Sequence, residues 1–494
     1  MKKLGDVLNS IEVMQVSGDR NAPVAAITFN SQKATTGSVF VAVKGTNADG
    51  HDFIPQAISN GAGIIVCETV PAEVQAKVPA DITFVKVRDS ARALGVMASN
   101  FFDNPSSRLR LVGITGTNGK TTTVTLLYRL FTALGYKAGC LSTIRNYIGQ
   151  KTVGATHTTP DPVQLQGLLK EMVEAGCQYA FMEVSSHALA QQRVAGLSFA
   201  GGIFSNITHD HLDYHKTFDE YIRAKKLFFD NLPAGSFALI NSDDRNGKIM
   251  VQNTKAMIKY YAVKSMAEFK ARIIESHADG MLLTIDGSEV WSHFLGAFNA
   301  SNLLAVYATA RLLGQEKEEV LRIISQLESV DGRFQYVKSK NGVTAIIDYA
   351  HTPDALENVL STIHQIRPPE KLIITVVGAG GNRDKTKRPI MAGVAAGMSD
   401  RLVLTSDNPR DEEPEMIIAD MKQGLDEEQS LKTIAIADRR EAIRSACLMA
   451  GPGDIVLIAG KGHENYQEIK GIKYPFSDLD FVMELFGQTK INAQ

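Results

Sequence analysis

The sequence lacks long apolar runs, an excess of charge of either sign, and closely spaced cysteines. No stretch reaches the roughly 18 consecutive apolar residues that a membrane-spanning helix needs. The 52 Lys and Arg residues nearly balance 54 Asp and Glu residues, so we expect neither a nucleic-acid nor a membrane-surface partner. Four cysteines far apart in 494 residues predict reduced core thiols. Asp6 interrupts any signal-type apolar segment, and we expect a cytoplasmic protein.

The chain is longer than one hydrophobic core usually supports, which predicts several domains. We place the boundaries near the turn-rich stretch FFDNPSSRLR and after ESVDGRFQYV, giving domains at residues 1–105, 106–335 and 336–494. In the last block, short Val/Ile/Leu runs alternate with helical patterns. This alternation predicts an α/β fold with a parallel sheet covered on both faces.

Four predicted strands of the last block run into polar loops. These loops are at residues 348–351, 378–383, 407–410 and 460–464. Ligands of open α/β sheets bind outside the carboxyl ends of the strands, so we expect the four loops to meet along one edge. Together they indicate a ligand crevice better than four separate solvated loops.

A glycine-rich stretch, GITGTNGKTT at residues 113–122, ends an apolar run and opens a helical pattern that Gly135 is expected to stop. Backbone N–H groups and the positive end of the helix hold phosphates in such loops, and Lys120 adds a point charge. A strict Walker A motif would have glycine at position 114, where this sequence has Ile114. The strand–loop–helix context still predicts a nucleotide site.

Acidic and imidazole side chains follow the phosphate loop. Glu183 ends an apolar run, where a metal-holding carboxylate would lie beside that loop, and SNITHDHLDYH then supplies His211. No cysteine and no His-Glu-x-x-His helix accompanies them, so the set suits magnesium on ATP better than zinc. A helix cap with surface histidines accounts equally well for His209 and His215.

Several motifs occur in one order along nearly the whole chain: GTNGKTT, EVSSHALAQQRV, NITHDHLDYH, GAFNASN, DYAHTPD, GAGGNRDKTKRP, DNPR and GKGHE. In this combination the sequence resembles the Mur ligase family, specifically its members that add the third residue to UDP-N-acetylmuramoyl-L-alanyl-D-glutamate in peptidoglycan synthesis. The resemblance implies a three-domain Mur ligase architecture, with an N-terminal UDP-binding domain, a central P-loop ATPase domain and a C-terminal Rossmann-like amino-acid-binding domain. We expect a monomer.

The resemblance also implies a reaction, namely amide formation coupled to hydrolysis of ATP to ADP and phosphate. The D-glutamyl γ-carboxylate would attack the γ-phosphoryl group to give an acyl phosphate, and an amine would then attack the carbonyl and expel phosphate. This chemistry needs positioning and charge neutralisation more than a protein nucleophile. The sequence accordingly offers no convincing Ser-His or Cys-His arrangement.

ATP, Mg²⁺ and a carbamylated lysine are the implied cofactors, and the implied catalytic residues are Lys120, Glu183, His211 and Lys225. Carbamylated Lys225 would hold magnesium with Thr121, Glu183 and His211, although Lys226 is an alternative carbamylation site. The implied ATP contacts are Gly116, Thr117, Asn118, Gly119, Lys120, Thr121, Thr122, Asn302, Arg333 and Asp348, with Asn302 at the adenine and Asp348 at the ribose.

The UDP-substrate contacts implied by the resemblance are Ser31, Thr158, Thr159, Ser185, Gln191 and Arg193. In the first domain the family's usual Asp-Ser-Arg reads Asn30-Ser31-Gln32, which retains only the serine. Arg193 offers a bidentate clamp for a carboxylate.

The stretch LTSDNPRDEEP sets both charge signs side by side after a predicted strand. Family members that add meso-diaminopimelate carry Asp-Asn-Pro-Arg here, so the resemblance implies this amino acid. Arg410 offers a planar fork for its extra carboxylate, and Arg383 for the other one. The implied amino-acid contacts are Arg383, Asp407, Asn408, Pro409, Arg410, Gly460 and Glu464. A solvated helix-entry turn, capped by Ser406 or Asp407, is the simpler interpretation.

Other functions remain as alternatives. The ligase could use L-lysine or another diamino acid, and a folylpolyglutamate-synthase-like ligase would share the phosphate loop and middle domain. A P-loop kinase or GTPase is the next class, but no Asn-Lys-x-Asp guanine motif is present. Arg383 stands where a dinucleotide-binding motif needs its third glycine, which excludes that class. A nucleotide-binding scaffold without activity would not need Lys225, Glu183 and His211 together.

Overall fold

The computed structural model describes residues 1–46, 48–71, 82–277 and 279–488. Three sheets of five or more strands follow one another along the described chain, each with its own buried apolar layers. The first two lie within the predicted blocks, whereas the third begins at Gln335, the last residue of the predicted middle block. Residues 105 and 335 remain our proposed boundaries. Within the described ranges, no helix has the length and apolar character to cross a membrane.

The N-terminal sheet has five strands in the order β2-β7-β6-β5-β4, with β2 the antiparallel member. Strands β5 and β6 are buried along their whole length, which explains their continuous apolar sequence. The strands are β1 Lys2–Lys3, β2 Val13–Ser17, β3 Pro23–Val24, β4 Ala26–Thr28, β5 Ser38–Val41, β6 Ile64–Cys67 and β7 Thr83–Val87, and the helices are α1 Leu4–Val7, α2 Ile54–Ser59 and α3 Ser90–Phe101.

The middle sheet runs β11-β10-β9-β12-β8-β13-β14-β15-β16-β17-β18, and its centre, from β9 to β16, is parallel. The strands are β8 Arg110–Thr115, β9 Ala138–Leu141, β10 Arg145–Ile148, β11 Lys151–Gly154, β12 Tyr179–Glu183, β13 Gly201–Phe204, β14 Phe237–Asn241, β15 Met257–Ala262, β16 Phe269–His277, β17 Gly280–Ile285 and β18 Ser288–Ser292. The helices are α4 Lys120–Ala133, α5 Pro162–Glu174, α6 Ser186–Ala190, α7 Leu212–His215, α8 Phe218–Asp230, α9 Gly247–Met250, α10 Ala297–Leu312 and α11 Lys317–Ile324. As predicted, helix α4 follows β8 directly and stops before Gly135, whose φ is +89°.

The C-terminal sheet runs β19-β20-β24-β21-β22-β23, and all neighbours from β20 to β23 are parallel. The strands are β19 Gln335–Lys338, β20 Thr344–Asp348, β21 Ile373–Val377, β22 Arg401–Leu404, β23 Thr433–Ala435, β24 Ile455–Ala459, β25 Tyr466–Ile469 and β26 Ile472–Pro475. The helices are α12 Pro353–Ile366, α13 Lys387–Gly397, α14 Pro414–Lys422, α15 Glu427–Leu431, α16 Arg439–Met449 and α17 Asp478–Leu485.

One element of this domain differs from the sequence prediction. A β-hairpin, β25–β26, stands between β24 and the helix that was expected to follow it directly. Its turn is formed by Lys470 and Gly471, both with positive φ, which suits a tight two-residue hairpin connection. The hairpin matters for the site because it contacts Arg410 through backbone hydrogen bonds.

Candidate active site

Two adjoining cavities lie between the middle and C-terminal domains. The first, of about 410 Å³, is bounded by the phosphate loop on one side and the polar loops of the C-terminal sheet on the other. The second, of about 370 Å³, adjoins the same loop, and the residues it shares with the first are Asn118, Gly119, Thr122, Arg333, Tyr349 and His351. As predicted, the carboxyl ends of β20, β21, β22 and β24 all open toward these cavities.

Most of the predicted site residues meet in this region. Those lining the first cavity are Thr117, Asn118, Gly119, Lys120, Thr121, Thr122, Thr158, Thr159, Glu183, Ser185, Arg193, His211, Arg333, Arg383, Asp407, Asn408, Arg410, Gly460 and Glu464. Asn302 and Asp348 line the second cavity. Gly116, Lys225, Gln191, Pro409 and Ser31 line neither of them.

The phosphate loop wraps tightly over the start of α4. Gly119 has φ +87°, and a Cβ there would stand 2.5 Å from Oδ1 of Asn302, so only glycine fits without rearrangement. The Lys120 ammonium donates to the carbonyls of Gly116 at 2.9 Å and Thr117 at 2.8 Å. Lys120 and the first residues of α4 line the first cavity. The positive end of this helix and the lysine charge therefore face the cavity, as an anion site requires.

Oxygen and nitrogen donors suited to magnesium lie beside this loop. Glu183, buried at the end of β12, accepts hydrogen bonds from the Thr143 backbone at 2.8 Å and hydroxyl at 3.2 Å. Burial holds the pKa of His211 well below its usual value of 6.5, which keeps a ring lone pair available. Its Nε2 faces Asp210 Oδ2 at 3.4 Å, a carboxylate–histidine arrangement common behind metal ligands.

These donors fit a magnesium ion that also binds phosphate oxygens. In the described part of the chain, no group of three or more His, Cys, Asp or Glu side chains is arranged as a metal cage. Magnesium on a nucleotide usually takes one or two protein ligands and completes its shell with phosphate and water. The hydroxyl of Thr121, which accepts from Arg333 Nη2 at 3.1 Å, and the carboxylate of Glu183 match that demand.

Lys225 and Lys226 have opposite environments. Lys226 pairs with Asp230 one helical turn away at 2.6 Å, as an ordinary ammonium does. Lys225 is buried under the phosphate loop, and its nitrogen lies 2.7 Å from the Gly116 carbonyl that Lys120 also contacts. Burial and the neighbouring Lys120 lower the pKa of Lys225 well below 10.5. A neutral amine is the form that reacts with CO2, so the structure favours Lys225 over Lys226 as the carbamylation site.

A second group of predicted residues lies between the phosphate loop and the N-terminal domain. The Thr159 hydroxyl donates to the Glu183 carbonyl at 2.9 Å and accepts from the Ser185 backbone at 3.1 Å. Arg193 donates to the Thr159 carbonyl at 2.8 Å and, from two nitrogens, to the side-chain oxygen of Gln191. Gln191 in turn contacts Thr46 of the N-terminal domain at 3.5 Å.

Ser31 is separate from the cavities. Its hydroxyl donates to Gln56 Oε1 at 2.8 Å within the N-terminal domain. Asn30, which replaces the family's aspartate, still caps the short turn by accepting from the Gln32 backbone at 2.9 Å. The local backbone role of the missing carboxylate is therefore filled by an amide.

The loop after β22 is not a helix cap, because α14 begins only at Pro414 and no side chain caps its start. Arg410 has φ +52° and is fixed by backbone bonds to Glu468 and Lys470 of the hairpin. Its guanidinium donates to the Gly381 carbonyl at 2.7 Å and lies 3.5 Å from Glu468 Oε2. Left-handed non-glycine residues cost free energy and concentrate at functional sites.

Asn408 and Glu464 are tied together by a residue that the sequence interpretation omitted. The Asn408 amide donates to Glu464 Oε2 at 2.8 Å, and the Lys461 ammonium donates to both side chains. The Asn408 oxygen also accepts from the Glu468 backbone at 2.9 Å. Asn408 is thus held in place by protein contacts, whereas Oδ2 of Asp407 and Oε1 of Glu464 accept no hydrogen bond from the described residues.

The second cavity is lined by the predicted nucleoside contacts Asn302 and Asp348. Asp348 at the end of β20 accepts backbone hydrogen bonds from Phe334 and Ala350, both at 2.7 Å, and burial raises its pKa. Asn118 of the phosphate loop donates to Asp354 of the C-terminal domain at 2.8 Å, which closes the two domains over the loop.

Further residues line the first cavity without having been predicted as site residues. They are Thr143, His157, His187, Asp210, Asp213, Tyr349, His351, Gly380, Asp384 and Lys387. Tyr349 and His351 belong to the DYAH motif, and Thr143 follows β9, so the ends of these strands were an available signal. Lys387 and Asp210 form an ion pair across the domains at 3.3 Å, and no local sequence pattern marks it.

Comparison with known proteins follows the same division of the chain. Residues 23–102 match the catalytic domain of the Mur ligase family, residues 114–310 the Mur ligase middle domain, and residues 332–462 the Mur ligase glutamate ligase domain. The chain belongs to the Mur ligase family and is an ATP-dependent, ADP-forming amide ligase.

Individual relatives indicate which members of the Mur ligase family this chain is similar to. The UDP-N-acetylmuramoyl-L-alanyl-D-glutamate--2,6-diaminopimelate ligase of Cytophaga hutchinsonii is 56% identical over 98% of this chain and 99% of its own. A solved structure of a ligase with the same name is 31% identical, covers 99% of both chains and has a TM-score of 0.68. The folylpolyglutamate synthase of Mycobacterium tuberculosis covers 79% of this chain at 16% identity, a likeness of fold alone.

Proposed function

We propose that this chain joins meso-diaminopimelate to the D-glutamyl γ-carboxylate of UDP-N-acetylmuramoyl-L-alanyl-D-glutamate, with ATP as the energy source. One observation carries the proposal. The first cavity is bordered by the phosphate loop, by Thr159 and Arg193 on the side of the N-terminal domain, and by Asp407 and Arg410 opposite. A phosphoryl donor, a carboxylate and an amine need to meet in such a place. We place the reaction in the cytoplasm and expect a monomer to perform it.

ATP fits with its base in the second cavity and its phosphates on the loop. Asn302 and Asp348 would contact the adenine and ribose, and residues 116–122 the phosphates. Arg333 stands between the two cavities and is positioned for a phosphate oxygen.

Thr121, Glu183, His211 and carbamylated Lys225 would hold magnesium. Bound magnesium supplies positive charge that screens the phosphate oxygens from the incoming carboxylate. Lys225 lies behind the loop with its nitrogen 2.7 Å from the Gly116 carbonyl, so a carbamate on it would add an anionic oxygen donor next to the phosphate loop.

The chain's own side chains then orient the two reactions. Lys120 neutralises charge on the transferred phosphoryl group while the γ-carboxylate attacks it. In the second step the amine of the amino acid attacks the acyl carbonyl and phosphate leaves. Asp407 and Glu464 would hold the distant ammonium, and Arg410 and Arg383 the carboxylates, so that the reacting amine points at the acyl group.

The assignment to diaminopimelate rests on Arg410. Lysine matches the distant end of diaminopimelate only in its ammonium, so it would bring no carboxylate to the half-buried Arg410 guanidinium, whose only carboxylate contact among the described residues is Glu468 at 3.5 Å. A site built around a polar partner rejects an analogue lacking it strongly, on the order of 10⁴ in favourable cases.

The test is ATP-dependent phosphate release with the UDP-dipeptide and one amino acid at a time. We expect release to require magnesium, the UDP-dipeptide and an amino acid together, with diaminopimelate strongly preferred. Equal rates of phosphate release with L-lysine and diaminopimelate would contradict the assignment of diaminopimelate as the amino acid. Phosphate release at the same rate without the UDP-dipeptide would contradict the assignment of this dipeptide as the substrate.

A further inference from the structure

Lys461 is a fully buried charged side chain beside the amino-acid loops, with 0% of it exposed. Its ammonium donates to Glu464 Oε2 at 2.8 Å and to Asn408 Oδ1 at 3.0 Å, and lies 5.6 Å from the ring centre of Tyr466. It does not line the first cavity, so it has no place in the binding contacts proposed above.

The charges around this lysine form a balanced set, which we call the amino-acid cradle and define as Arg383, Asp407, Arg410, Lys461, Glu464 and Glu468. Two ion pairs account for four of these charges, Lys461 with Glu464 and Arg410 with Glu468 at 3.5 Å. Among the described residues, Arg383 and Asp407 have no ion-pair partner within the cradle or outside it. The cradle therefore presents one free cation and one free anion.

Diaminopimelate and lysine differ by one carboxylate, so diaminopimelate brings one more negative charge to the cradle. Without the Lys461 ammonium, the cradle would carry a surplus negative charge from Glu464. That surplus would attract a ligand whose far end is only an ammonium and repel one with an additional carboxylate. Discrimination between two ligands can rest on such a repulsive element as much as on an attractive contact.

We propose that Lys461 is a specificity-determining residue, whose buried ammonium cancels the charge of Glu464 and so biases the site toward the amino acid with the extra carboxylate. The inference rests on the proposed function of this site. Lys461 acts through Glu464 and Asn408 and does not touch the substrate, so it is a positioning residue.

A purely structural role would have a different signature. If Lys461 only kept the loop folded, its loss would lower kcat/KM for both amino acids in parallel. The charge-balancing role predicts opposite changes, a higher KM for diaminopimelate and a lower KM for L-lysine.

The experiment compares kcat and KM for both amino acids in wild type, Lys461→Met and Lys473→Met. Lys473 is an exposed lysine whose ammonium also lies over the Tyr466 ring, 4.2 Å from the ring centre. Lys473→Met is therefore the matched control, because it removes one positive charge near the same ring. We expect Lys461→Met to reduce the ratio of kcat/KM for diaminopimelate over lysine by about tenfold or more. Lys473→Met should leave the ratio within about twofold of wild type. An unchanged ratio in folded Lys461→Met protein would overturn the proposal.

A second comparison avoids leaving a carboxylate without its partner, which could unfold the loop. Glu464→Gln is compared with the double variant Lys461→Met/Glu464→Gln. The charge argument predicts a lower diaminopimelate-to-lysine ratio in the double variant, again by about tenfold. Equal ratios in these two proteins would also overturn it. If wild type itself shows no preference for diaminopimelate, the proposed amino-acid assignment fails, and this inference fails with it.

Discussion

Replacing Lys225 by alanine should stop the reaction without unfolding the protein. The lysine nitrogen lies in a buried position at 2.7 Å from the Gly116 carbonyl, and the Lys120 ammonium contacts the same oxygen. Burial, and then repulsion from the Lys120 ammonium, lower the pKa of Lys225, which favours the neutral amine that takes up CO2. Loss of the carbamate would remove one anionic ligand near the phosphates and lower kcat by about 10²–10³.

The neighbouring lysine supplies the matched control. Lys226 forms a pair with Asp230 one helical turn away, an interaction worth about 0.3–0.5 kcal/mol, so Lys226→Ala should keep turnover within about twofold of wild type. The cavity left by Lys225→Ala should lower the free energy of unfolding by about 1–3 kcal/mol. A cooperative thermal transition would show that the variant still folds.

The assay is phosphate release with and without short carboxylic acids such as formate or acetate. These acids can occupy the space of the lost side chain and offer magnesium the missing oxygen, so we expect partial recovery in Lys225→Ala alone. Full activity of Lys225→Ala without any added acid would refute the reasoning. If the added acids restored phosphate release in Lys226→Ala and not in Lys225→Ala, Lys226 would be the carbamylated residue.

Three further predictions concern the phosphate loop and the amino-acid loops. Lys120→Ala should abolish phosphate release while the thermal transition stays cooperative, and near-normal release would mean that the nucleotide site is misplaced. Arg410→Lys should lose the preference for diaminopimelate over lysine, because an ammonium cannot copy the planar fork, and a retained preference in competition assays would argue against the fork. The buried Arg388 guanidinium, 2.8 Å from Glu412, holds the pKa of Glu412 at about 2 instead of 4.5. Glu412→Gln should therefore lower the free energy of unfolding, measured in urea at pH 7, by about 1–3 kcal/mol. This difference from wild type should shrink as the pH falls from 4.5 toward 2, because the wild-type carboxylate then becomes protonated. A difference that persists at pH 2 would contradict a stabilising Arg388–Glu412 pair.

Much of the fold was predictable because local patterns and tertiary burial agree. Continuous apolar runs in the C-terminal block became buried parallel strands, and helices such as α12, Pro353–Ile366, stand between them as the alternation predicted. Gly135 was predicted to stop helix α4, and the structure gives it a positive φ after the last helical turn. The hairpin β25–β26 was missed because its strands are half exposed, with no apolar run and only a Lys470-Gly471 turn as a signal.

The predicted site residues that the structure brings together lie in short segments after predicted strands. Arg383 comes from one loop and Asp407 and Arg410 from another, yet each loop followed a predicted strand, and parallel topology brings such loops together. The buried environment of Lys461 and the pairing of Lys387 with Asp210 depend on residues distant in sequence. Periodicity and motif spacing carry no information on such contacts, so they became visible only in three dimensions.

The central claim is that the cavity between the phosphate loop and the amino-acid loops joins diaminopimelate to the UDP-dipeptide. The most direct test offers the protein ATP, magnesium, the UDP-dipeptide and equal amounts of meso-diaminopimelate and L-lysine, and identifies the nucleotide product by mass. We expect one new product, the UDP-tripeptide that contains diaminopimelate, formed in equal amount to ADP. A lysine-containing product in similar amount would contradict the amino-acid assignment, and ADP without any tripeptide would contradict the claim itself.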